Sequence, residues 1–116
     1  MYHVIITEPA KSDVRNTAAY IATKLHNKIA ASRLMNDAYK AMYSLDEMPR
    51  RHPLVDDEYL ASCGVRSFPV RNYLVFYIVH EESKTVEIER FIYSARNWAA
   101  ILKGEEPEDD NFYPTL

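Results

Sequence analysis

Four arginines and a tyrosine are the groups in this chain best suited to handling a phosphate. Arg66 and Arg71 precede the most hydrophobic run, Arg90 lies in the stretch after it, and Tyr93 and Arg96 follow, with Trp98 close behind. Guanidinium groups match phosphate oxygens two at a time. With Tyr93 and Trp98 available to stack on bases, the set would hold single-stranded RNA. Cleaving RNA without a metal needs a base for the 2′-hydroxyl, a cation for the phosphorane and an acid for the leaving oxygen. The arginines supply only the cation. His52, His80 and Tyr93 are the available proton carriers, and spacing alone assigns none of them. Arg90 falls on the apolar side of its stretch, a costly place unless a carboxylate pairs with it, whether a neighbour of Glu89, Asp13 or one in a loop, or it reaches a wet concavity. For Tyr93 and Trp98, packing into the core is the weightier reading.

These residues need elements to carry them. Tyr2–Thr7 (YHVIIT) is short, β-branched and apolar, which suits a strand. Thr7 then caps a helix with Glu8 and Pro9 in its first turn. Val14, Ala18, Ile21 and Leu25 recur at helical spacing, which predicts a helix over about residues 9–25. Asn27 caps a second helix striped by Ala31, Leu34, Ala38, Met42 and Leu45 and stopped by Pro49. So short a turn between helices predicts an antiparallel hairpin. Residues 49–62 (PRRHPLVDDEYLAS) read as irregular, with a basic trio at Arg50–His52 and a solvated acidic run at Asp56–Glu58.

A β-meander follows. Cys63–Phe68 is a strand candidate, and Pro69 should end its regular pairing or put it at an edge. Tyr73–His80 (YLVFYIVH) is apolar on both faces and should be the central strand. After a turn at EESK, Thr85–Tyr93 alternates, with Val86, Ile88 and Ile92 on one face and Thr85, Glu87 and Glu89 on the other. Ala95–Leu102 should add one or two helical turns. The order β-α-α-β-β-β with a short C-terminal helix predicts an α+β domain: a small, mostly antiparallel four-stranded sheet with an N-terminal helical hairpin packed on one face.

Composition narrows the function classes. The net charge is −3, but five of the seventeen acidic residues lie in the tail from residue 105 on, which has no basic one. Residues 1–104 therefore carry fourteen basic against twelve acidic side chains, or +2, which points to an anionic or acidic partner. Residues 1–104 are expected to form one domain, and residues 105–116 a disordered acidic tail. That tail could instead fold back over the basic end of the sheet. Two glycines are few for phosphate-cradling loops, and Cys63 is the single cysteine. The four histidines have no metal-ligand spacing. No metal or cofactor is expected. Lacking a secretion signal or an apolar run long enough for a membrane, the chain is expected to be cytoplasmic.

The sequence resembles the RelE/ParE toxins of bacterial type II toxin–antitoxin modules. The matching stretches are EPAKSDV and AAYIA in the first helix, SLDEMPR ending the second, and VRSFPVRNYLVFYIV followed by VEIERFIYSARNW. The resemblance covers about residues 2–102. It implies a growth-inhibiting toxin neutralised by a cognate antitoxin whose C-terminal segment wraps it. RelE-like members cut mRNA in the ribosomal A site, and ParE-like members poison DNA gyrase without a nuclease site. RelE-like toxins carry an arginine ahead of the Leu-Val pair of the central strand, where this chain has Tyr73. Arg96 falls near the basic residue that follows the last strand in that branch. VRSFPVRNYLVFY looks more like the ParE-like branch, which makes gyrase the favoured target. A metal-independent endoribonuclease using Arg66, Arg71, Arg90, Tyr93 and Arg96 is the alternative, and a non-toxic binding module of the same fold is a third possibility.

Overall fold

The computed structural model describes residues 1–105. The expected tail, from residue 106 on, lies outside the described residues, and with it the fold-back over the sheet.

Strand β1 (His3–Ile6) leads into helix α1 (Glu8–Thr23), whose N-cap Thr7 accepts a hydrogen bond from the amide of Ala10 at 3.3 Å. Ala10, Val14, Ala18 and Ile21 form its buried stripe. Helix α2 (Lys28–Tyr43) is capped by Asn27, which accepts from Ala30 at 3.0 Å, and buries Ala31, Leu34, Ala38 and Met42. The small alanines on both stripes let the helices lie close.

Helix α2 ends at Tyr43, short of the expected stop at Pro49. The chain tightens into 3₁₀ turns at Ser44–Asp46 and Pro49–Arg51, with Met48 between them in the left-handed region at φ 49°. Leu45 still continues the apolar stripe and is fully buried. The carbonyls freed there are taken up by Arg51, whose Nη1 donates to Glu47 O at 2.7 Å and to Met48 O at 3.3 Å, while its Nη2 donates to the Ser44 hydroxyl at 2.9 Å.

The segment read as irregular is more ordered than its composition suggested. Leu54 bridges to Arg66, and Glu58–Ser62 forms a short helix, α3. Asp57 is its N-cap, accepting from Leu60 at 3.0 Å, so one member of the acidic run is structural.

Strands β2 (Val65–Val70), β3 (Tyr73–His80) and β4 (Thr85–Tyr93) form the meander. The strand order is β1-β4-β3-β2, with β1 parallel to β4 and the other pairs antiparallel. The sheet is thus mixed. Pro69 lies within β2, at the sheet edge, where its missing amide costs no ladder bond. Helix α4 (Trp98–Leu102), capped by Asn97, ends the described chain.

Both faces of the sheet are covered. The helical hairpin packs over Val75, Tyr77, Val86, Ile88 and Phe91. On the opposite face, Phe76 and Ile92 join Val55, Leu60 and Val65, with Trp98 and Leu102 of α4 against them. A β-bulge explains where β4 departs from simple alternation. Phe76 pairs with Arg90 while Tyr77 pairs with Ile88, which leaves Glu89 as the extra residue. Ile92, expected on the face of Val86 and Ile88, is therefore on the other face, and Phe91 takes the helix-side position.

Candidate functional site

Each phosphate-binding candidate meets a neighbour within the fold. Arg90 faces α1, where its Nε and Nη2 donate to the two carboxylate oxygens of Asp13 at 2.6 and 2.9 Å. The same carboxylate accepts the amide of Phe91 at 3.0 Å. The hydrogen bonds it donates to Asp13 hold the Arg90 guanidinium firmly charged.

Arg71 occupies the β2–β3 turn with φ 55° and reaches Asp37 of α2, with contacts of 3.1 and 2.7 Å. Arg66 donates to the carbonyl of His52 at 2.7 Å, pinning the loop that crosses β2. Tyr93 tilts against Tyr73, with ring centroids 5.7 Å apart. Arg96 follows in the next turn, its amide donating to Tyr93 O at 3.0 Å. The amide of Ser94 donates to Asn72 O at 2.9 Å, so Arg71, Tyr93 and Arg96 share one end of the sheet. Arg66, opposite Tyr77, and Arg90, opposite Phe76, lie further along the strands. Trp98 packs on Phe76 at 5.2 Å, in the core.

The basic trio also has a structural setting. Arg50 pairs with Glu81 at 2.9 Å, and His52 stacks on Phe68 at 4.4 Å with Tyr77 edge-on. Burial, reinforced by the charge of Arg51, pushes the His52 imidazole below its usual range, so it is neutral at pH 7 and able to accept a proton. His80 lies 3.0 Å from Glu87.

Nothing in the residue pattern signals the groove on the sheet face opposite the hairpin. It has a cavity of about 330 Å³ lined by Leu60 and Cys63 around α3, Val65 and Ile78 of the sheet, and Ile101 and Leu102 of α4. Glu89, the bulged residue, lines it too. Burial and the neighbouring Glu87 carboxylate push its carboxyl up to about 7. The polar period of β4 placed Glu89 on this face, but no local pattern showed that α3 and α4 would wall it in.

A helical hairpin laid on one face of a small mixed sheet, with short helices on the other, is an arrangement shared with known proteins. The chain belongs to the ParE toxin family: the model described as "ParE toxin of type II toxin-antitoxin system, parDE" matches residues 4–98. Among solved structures, it is similar to a chain of the chromosomal ParDE toxin–antitoxin system of P. aeruginosa. The two are 15% identical with a TM-score of 0.67, covering 80% of this chain and 96% of that one. It is also similar to a chain of the RelBE2 toxin–antitoxin complex of Mycobacterium tuberculosis. There the identity is 22% and the TM-score 0.59, over 79% of this chain and 96% of the other. No curated protein sequence matches. Among the described residues, no helix is long and apolar enough to cross a membrane.

Proposed function

We propose that this type II toxin inhibits growth by binding its target rather than by cutting RNA, with DNA gyrase as the target and the cytoplasm as the place of action. The observation that carries this reading is the engagement of the arginines. Arg90 is closed off by Asp13, Arg71 by Asp37, and Arg66 by the loop carbonyls. A phosphoryl-transfer site needs cations aimed at empty space where charge will develop, and these guanidinium groups are aimed at the protein's own acceptors. Inducing the chain without its antitoxin should trigger a DNA-damage response and disturb supercoiling while translation continues. Growth arrest with intact DNA and halted translation would overturn the proposal, and unimpaired colony formation would point to a non-toxic binding module.

Ribosome-dependent mRNA cleavage is the second reading, favoured by His52. The imidazole, stacked on Phe68 and with its pKa lowered by burial, can act as a base, and Arg66, which donates to the His52 backbone carbonyl, sets a cation beside it. Primer extension on mRNA after induction separates the two readings: cuts within codons that vanish in His52→Ala support cleavage, and their absence rejects it.

A further inference from the structure

The groove beside Glu89 combines two properties that are rarely found together by accident. Its walls are apolar, from Leu60, Val65, Ile78, Ile101 and Leu102, and Tyr59 stands at its lip, 63% exposed. A half-buried carboxyl also lines it, without a cation of its own. The charged groups around Glu89 do not supply one. Arg90, next to it in β4, also lines the groove, but its guanidinium is bound to the Asp13 carboxylate of α1. Lys103, next in sequence to Leu102, is held by Asp57, the cap of α3, at 2.8 Å. Glu87 adds negative charge, and His80 of β3 is turned to Glu87. A desolvated carboxyl beside a second carboxylate gains most from an incoming cation.

We propose that this groove seats a segment of the antitoxin whose apolar side chains fill the cavity and whose single lysine or arginine sits over Glu89. The proposal rests on the toxin–antitoxin reading and adds the docking site and its recognition chemistry. Charge decides between possible occupants. Nucleic acid is repelled by Glu87 and Glu89, and so is the chain's own tail, whose first residues are EEPEDD. The cavity takes side chains, not a whole helix, so the bound segment lays its apolar anchors into it and leaves its backbone at the lip.

Cys63 lines the groove, is exposed, and is the only cysteine of the chain, so its thiol reports occupancy without any mutation. The full-length chain should be compared free and in complex with its cognate antitoxin, by following N-ethylmaleimide addition at Cys63 by mass spectrometry. In the complex, labelling should slow by about tenfold or more, because the thiol is no longer accessible. By calorimetry, Glu89→Lys should weaken binding by about tenfold or more, as expected when like charges face each other across an interface. Tyr59→Asp, at the exposed lip, should weaken it without endangering the fold.

Equal labelling in the free chain and the complex overturns the proposal while leaving the toxin–antitoxin reading intact. Unchanged affinity in both variants does the same. Absence of any complex overturns both. Protection of Cys63 in the free chain at every concentration assigns the groove to the tail, and protection that grows with concentration assigns it to a second copy. Either result rejects the antitoxin as occupant.

Discussion

Asp13 on α1 accepts both Nε and Nη2 of Arg90 on β4, and with the same carboxylate accepts the amide of Phe91. One acidic side chain thus fixes the helical hairpin to the strand just past its bulge and satisfies an amide on the β4 edge beyond the reach of β1, which pairs only as far as Ile88. The pair is largely withdrawn from water, with side chains 29% and 16% exposed. Removing Asp13 therefore leaves a guanidinium and an amide unpaired. Asp13→Ala should cost about 2–4 kcal/mol, read as a lower denaturation midpoint. Any loss of toxicity in Arg90→Ala should be reproduced by Asp13→Ala. A double-mutant cycle should return a coupling of more than about 1 kcal/mol. Additive losses would show that the two residues act separately.

Arg71 and Asp37 make the contrasting case. Their ion pair is half exposed, at 47% and 49%, so Asp37→Ala should cost less than about 1 kcal/mol. Arg71 also holds φ 55°, a conformation that favours glycine at the first position of a tight hairpin. Arg71→Gly should therefore stay within about 0.5 kcal/mol of the parent, backbone relief offsetting the lost pair, while Arg71→Ala loses the pair without that relief. Urea melts of the two variants compare them directly, and equal stabilities would remove the backbone argument.

Much of this fold is legible in the sequence because its signals are local. Thr7 and Asn27 declare the helix starts, and YLVFYIVH gives β3 with its bounds intact. What escapes are effects fixed by distant contacts. Asp57 looks like part of a solvated charge run until Leu60 and Lys103 are folded onto it. The bulge at Glu89 is invisible because an alternating pattern cannot say where two residues will oppose one. The same bulge sends Ile92 to the far face and leaves Glu89 in the groove. Asp13 as partner for Arg90 could be named from the sequence only as one of several carboxylates.

Tyr77 ties the sheet to the loop that carries the basic trio. Its hydroxyl donates to the carbonyl of Pro49 at 2.6 Å from a fully buried position, and burial pushes the phenol above its usual range. Tyr77→Phe keeps the ring against His52 and Phe68 but leaves the Pro49 carbonyl without its donor. The expected cost is about 1–2 kcal/mol, with faster backbone hydrogen exchange across residues 49–54. A variant that is as stable as the parent would show that the loop is held by its other contacts, the Arg66 bond and the Arg50–Glu81 pair among them.

Two glutamates should give the stability profile opposite slopes with pH. Glu89 titrates at about 7 when folded, through burial and then its hydrogen bond and repulsion with Glu87, against an ordinary 4.5. Between these values the folded chain holds a proton that the unfolded chain has released. Stability must then fall as pH rises from 4.5 to 7. Glu81 is the reverse: hydrogen bonds from Lys84, Tyr2 and Arg50 hold it down at about 2. Its contribution is complete above 4.5 and is lost as pH falls toward 2. Thermal melts from pH 3 to 8 should show Glu89→Gln flattening the upper limb by a few degrees, roughly the shift produced by a change of about 1 kcal/mol in a domain of this size. Glu81→Gln should flatten only the acid limb. Because Glu89 gives up its proton near neutrality, a bound antitoxin cation should draw that proton off and lower the apparent pKa. Binding measured in buffers of different ionisation enthalpy should then show proton release below pH 7, and a buffer-independent enthalpy would mean that no cation meets Glu89.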